Sequence, residues 1–165
     1  FSSTGKYLAW ESMARDGYEA DKVNLKVMDI ATGAVTIHTA NFDQDVANLQ
    51  WQGDNEVWFV SNHYACDQIY KLDIASSTIV QVTNGVQDYP TMMMANNVMV
   101  AKKMSISQPA EIVKIDLQSG KDINLSNTNT GLLAQLKMGK VEERWITTTD
   151  NKQMQTWVIY PPDFD

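Results

Sequence analysis

A period of 43 to 44 residues constrains this chain more than any other feature of it. Three segments align without a gap: Leu25-Lys26-Val27-Met28-Asp29-Ile30-Ala31-Thr32-Gly33, Ile69-Tyr70-Lys71-Leu72-Asp73-Ile74-Ala75-Ser76-Ser77 and Ile112-Val113-Lys114-Ile115-Asp116-Leu117-Gln118-Ser119-Gly120. Asp29, Asp73 and Asp116 stand 44 and then 43 residues apart, and Thr39, Thr83 and Ser126 each follow their aspartate by ten. Runs of Val, Ile, Leu and Tyr read as buried strands. An aspartate before Thr/Ser-Gly reads as a strand end and tight turn. Its carboxylate can bond the backbone just downstream, and glycine takes positive φ without a Cβ clash.

Further strands lie upstream in each repeat. Val57-Trp58-Phe59-Val60 and Val98-Met99-Val100-Ala101 are 41 residues apart, and Tyr7-Leu8-Ala9-Trp10 fills the same slot first. Before them come the runs Asp45 to Trp51 and Asp88 to Met94, 43 residues apart. Four short strands repeated about every 40 to 45 residues are the mark of β-propeller blades. No stretch carries helical periodicity of comparable length. The expected fold is all-β: a partial β-propeller of about 2.5 to 3 four-stranded antiparallel blades, approximately residues 1–42, 43–84 and 85–127. Ser2 to Lys6 reads as a turn between a blade's first and second strands, so the chain is expected to enter inside a blade. A ring needs about four to eight blades, so a larger toroid is expected around this piece.

Residues 128–165 do not repeat. After a polar linker and a short crossing at Leu132 to Met138, Arg144 to Thr149 and Gln153 to Tyr160 flank Asp150-Asn151-Lys152 as a β-hairpin. Pro161-Pro162 stops the strand. This hairpin reads as the way into a different domain.

Composition removes whole classes of function. The chain is 44% hydrophobic and 20% charged, the balance of a folded globular protein. A net charge of −7 argues against phosphate-backbone binding and against a polybasic membrane anchor. No run approaches the roughly 18 to 20 apolar residues of a membrane helix, and no signal peptide is visible. The single cysteine, Cys66, excludes an internal disulfide and a CxxC zinc site. No cofactor and no metal are called for. His63, Cys66 and Asp67 share one loop, but three ligand types without a second cluster read as an ordinary surface loop. Met92-Met93-Met94 is expected to fill core gaps, and Trp10, Trp51 and Trp58 to pack between blades. Trp145 and Trp157 are expected to pack across the exit hairpin.

The whole pattern resembles the prolyl oligopeptidase family of serine peptidases, in its dipeptidyl-peptidase and acylaminoacyl-peptidase branch. The likeness rests on three features: the Asp-x-x-Thr/Ser-Gly blade repeat, the stretch Gly5 to Trp10 with Ser12 to Lys22, and the exit segment Ile146 to Pro162. The resemblance implies an N-terminal propeller joined to a C-terminal α/β-hydrolase domain of the same parent chain. That propeller covers the active site, admits short peptides and contributes binding loops. The family's Gly-x-Ser-x-Gly nucleophile elbow does not occur here, so no catalytic residue is assigned.

Within that reading, the charged loop Arg15 to Lys22 is the leading substrate contact. A dipeptide-releasing enzyme must recognise a free amino terminus. Glu19 or Asp21 fits the ammonium, and Arg15 fits a peptide carbonyl or carboxylate. The alternative is a non-enzymatic propeller of the WD-repeat or TolB-like kind, acting as a protein-binding module. Open blade edges also allow a homo-oligomer. The family occurs in the bacterial cytoplasm and in the periplasm or outside the cell, and the periplasmic side is preferred.

Overall fold

The computed structural model describes residues 1–164. Its strands are β1 (Tyr7–Ser12), β2 (Asn24–Asp29), β3 (Val35–Ile37), β4 (Ala47–Gln52), β5 (Glu56–His63), β6 (Cys66–Asp73), β7 (Thr78–Gln81), β8 (Asp88–Ala95), β9 (Val98–Ser105), β10 (Gln108–Ile115), β11 (Asp122–Asn124), β12 (Val141–Thr147) and β13 (Gln153–Ile159). One helical turn, α1 (Thr130–Leu133), precedes the last pair. The strands form antiparallel meanders ordered β1-β2-β3, β4-β5-β6-β7 and β8-β9-β10-β11, with β12-β13 as a separate hairpin. The fold is a partial propeller, as the period requires. No helix among the described residues is long and apolar enough to cross a membrane.

The repeated aspartates close the turns anticipated for them. Asp29, Asp73 and Asp116 accept the backbone N–H of Thr32, Ser76 and Ser119 at 2.9, 2.8 and 2.7 Å, and the hydroxyl of the same residue. Each carboxyl is held below its ordinary range, first by that backbone N–H and then by the hydroxyl. The next position is left-handed in all three copies: Gly33 at φ 71°, Ser77 at 54° and Gly120 at 68°.

The hydroxyl ten residues on forms a latch. Thr39, Thr83 and Ser126 accept the N–H of Leu25, Ile69 and Ile112 at 2.8, 2.8 and 2.9 Å. Each hydroxyl donates in turn to the side chain one residue earlier: Asn24, Gln68 or Glu111. The latch continues the ladder past the fourth strand and steers the chain toward the next sheet.

The middle sheet is buried on both faces, so β5 is a continuous apolar run and not an alternating one. Val57 and Phe59 pack with Leu25, Val27, Val46, Tyr70 and Leu72 toward the first sheet. Trp58 and Val60 pack with Ile69, Tyr89, Met92, Met99, Ala101, Val113 and Ile115 toward the third. Phe59 stacks on Tyr70, and Phe42 meets both edge-on. Trp58 fills the gap between the second and third sheets, and Trp51 stacks on Tyr7 of the first at 6.2 Å. Trp10 joins neither cluster. Of the three consecutive methionines only Met92 is fully buried, while Met93 is 69% exposed, because neighbours on a strand face opposite ways.

Candidate functional site

One end of the stacked sheets gathers the irregular segments. The first sheet joins β1 to β2 through the eleven-residue loop 13–23, whereas β5–β6 and β9–β10 turn through Tyr64-Ala65 and Ile106-Ser107 alone. In an antiparallel meander these connections fall at the same end as the links between successive sheets, including Asn84-Gly85-Val86. The β12–β13 hairpin lies against that end. Gln155 Nε2 donates to the Tyr64 carbonyl at 2.9 Å, and Trp145 meets the Tyr64 ring edge-on at 5.2 Å. Trp145 therefore packs on a blade turn. Its strand partner is Gln155, while Trp157 stands opposite Glu143.

The structure brings Arg15 and Asp21 together. The guanidinium donates to both carboxylate oxygens and lies 3.7 Å from the Tyr18 ring centroid. Its hydrogen bonds hold the Asp21 carboxyl below the usual range. The Asp21 side chain is 12% exposed and that of Arg15 is 62% exposed. Glu19 stands exposed beside the pair. Lys22 anchors the loop's base, its ammonium donating to the carbonyls of Thr39, Ala40 and Phe42 at 3.0, 3.1 and 2.8 Å. The loop is thus a braced projection with two exposed carboxylates, Asp16 and Glu19, that carry no ion pair among the described residues.

Between hairpin and blade end run two adjoining clefts. One, of about 270 Å³, is bounded by Val86, Ile106, Val141, Glu143 and Trp157. The other, of about 230 Å³, includes His63, Tyr64, Cys66, Glu143, Gln155 and Trp157. Glu143 borders both, its Oε1 accepting Trp145 Nε1 at 2.9 Å and Gln155 Nε2 at 3.0 Å. The Cys66 thiol is pushed up by burial and then by the Asp88, Glu143 and Asp67 carboxylates. His63 tilts against Tyr64 at 4.3 Å. No cluster of His, Cys, Asp or Glu able to hold a metal occurs among the described residues.

Sequence reasoning named the loop but not these clefts. Nothing in the repeat foretells where a hairpin outside it will lie. Glu143 carries a weak signal only in hindsight, being a carboxylate paired across the strands with a tryptophan.

The linker after β11 has its own clamp. Glu111, 3% exposed, accepts the Ser126 hydroxyl, the N–H and hydroxyl of Thr128, and the N–H and side-chain amide of Asn129. Together they hold its carboxyl at about 2, the Ser126 hydroxyl contributing most.

No protein-family model matches the chain. Dipeptidyl-peptidase 5 of Porphyromonas gingivalis is 37% identical over 166 residues, a match covering 100% of this chain and 24% of that protein. The chain thus spans about a quarter of that relative's length. Among solved structures, the acylaminoacyl peptidase of Pyrococcus horikoshii superposes with a TM-score of 0.80 at 17% identity, over 98% of this chain and 25% of that one. The β-propeller domain of the trilobed protease from Pyrococcus furiosus superposes with a TM-score of 0.62 at 17% identity, over 78% of this chain and 39% of that one.

Proposed function

We propose, from the premise that this chain is a propeller segment of the prolyl oligopeptidase family related along its length to dipeptidyl-peptidase 5, that it is the non-catalytic gatekeeper of a serine exopeptidase. In this reading the propeller covers the active site of a following α/β-hydrolase domain and admits only short peptides. The work is steric selection and substrate positioning, not bond chemistry. The observation that carries the reading is the exit hairpin lying at the same blade end as the braced loop 13–23. A neighbour consisting of a propeller alone matches 78% of the chain, whereas a whole peptidase matches 98%. That difference is what a hairpin belonging to the junction with a second domain would produce.

At this end Arg15, Glu19 and Asp21 contact the substrate. Glu19 receives the free amino terminus, and the Arg15–Asp21 pair, stacked on Tyr18, sets the loop's shape and offers the guanidinium edge to a peptide carbonyl. The test is steady-state kinetics of the full-length protein on chromogenic dipeptides with free and with acetylated amino termini. Glu19→Gln is expected to raise KM at least tenfold for the free amino terminus and to leave the acetylated substrate unchanged. An equal effect on both substrates refutes the assignment of Glu19. Absence of labelling by a serine-hydrolase probe refutes the peptidase reading as a whole.

A further inference from the structure

Glu143 stands apart from every other hairpin charge. On the opposite face of β12, Glu142 is paired with both Lys140 and Arg144. Glu143 has no cationic partner among the described residues, and its two hydrogen bonds both come from neutral donors onto Oε1. No donor to Oε2 is found among the described residues; Glu143 is solvent-exposed, and Trp157, Val86, Ile106 and Val141, with Ser105 and Ser107, line the cleft it borders. An ionised carboxylate beside apolar surface is complemented by a cation on an apolar stem, which fills the walls while meeting the charge. A neutral apolar group leaves the charge unmet, and an anion is repelled.

We propose that the cleft between the exit hairpin and the blade turns is a binding site for an alkylammonium group, such as a lysine side chain of a peptide, with Glu143 as its counter-ion. Val86 and Ile106, 59% and 53% exposed, receive the methylene stem, and Trp157 forms the facing wall. The site is separate from loop 13–23 and does not depend on Glu19. Because one charge meets one charge, affinity falls as salt is raised.

The test uses the full-length protein and n-hexylamine as probe, with n-hexanol as its neutral isostere. Binding is read from tryptophan fluorescence, and Trp157→Phe identifies the reporter. Saturable quenching by hexylamine is expected, at least tenfold tighter than by hexanol and weakened between 50 and 500 mM salt (about a Debye length of 14 to 4 Å). Glu143→Gln, which keeps the side chain's shape and its acceptor oxygen for Trp145 and Gln155, is expected to weaken hexylamine at least tenfold and leave hexanol unchanged. Equal affinity for amine and alcohol, unchanged amine binding in Glu143→Gln, or no saturable response to the amine each overturns the proposal.

Discussion

Replacing Thr83 by valine tests whether the hydroxyl latch holds the blades in register. Thr83 is 1% exposed, and its hydroxyl both accepts the Ile69 N–H and donates to Gln68 Oε1, each at 2.8 Å. Valine keeps the shape and removes both bonds. Ile69 is fully buried and Gln68 is 1% exposed, so water does not replace either partner. A buried donor or acceptor left unmet costs about 1–3 kcal/mol, so the pair of losses sums to about 2–6 kcal/mol. Thr83→Ser keeps both bonds and gives up one buried methyl, about 1 kcal/mol. Thr39→Val removes the equivalent bonds in the first sheet, but Asn24 is only partly buried and regains water, so about 1–3 kcal/mol is expected. The assay is the urea midpoint of the propeller transition in the full-length protein, converted with its measured slope. The expected order of damage is Thr83→Val, then Thr39→Val, then Thr83→Ser. If Thr83→Ser costs as much as Thr83→Val, the hydroxyl bonds are not the source of the stability and the latch argument fails.

Two further predictions use the same unfolding assay. Gly33→Ala and Gly120→Ala impose similar left-handed strain, at φ 71° and 68°, about 1–2 kcal/mol each. An added Cβ at Gly33 meets nothing within 4 Å, whereas at Gly120 it would run into the Val82 carbonyl oxygen. Gly120→Ala is therefore expected to be the more damaging by at least about 2 kcal/mol, and equal costs would remove the close approach from the account. The second concerns pH. Glu111 has its folded carboxyl lowered from 4.5 to about 2, so its contribution is fully present above pH 4.5 and is lost as pH falls toward 2. Between pH 5 and 3, about the unfolded range, Glu111→Gln is expected to flatten the decline of the urea midpoint relative to wild type, and an unchanged slope would count against the clamp.

The propeller was legible because its cause is periodic. Each copy of Asp-x-x-Thr/Ser, followed by Gly33, Ser77 or Gly120, needs one geometry, and the turn aspartates and hydroxyls sit where that geometry puts them. The loop 13–23 was legible as an insertion between strands of known spacing, and its charges could be named one by one. Their pairing could not, because Arg15 reaches Asp21 only through a turn that places Tyr18 beneath the guanidinium. Trp145 and Trp157 were expected to meet each other, yet Trp145 packs on Tyr64 instead. Strand alternation puts both rings on one hairpin face, and that face is claimed by the blade turn.

The sequence by itself determined the number and order of strands, their antiparallel pairing within each sheet, and the turn chemistry that ends them. These follow from local propensity and a 43-to-44-residue repeat, which act over short spans of chain. The tertiary structure alone decided that Glu111 collects five donors, that the hairpin lies across Tyr64, and that Glu143 borders a largely apolar cleft with no counter-ion among the described residues. Each depends on groups far apart in the chain, Tyr64 and Gln155 being 91 residues apart, and on which surfaces remain after the blades have buried their own. Period fixes what repeats; only packing fixes what the single, unrepeated segment rests upon.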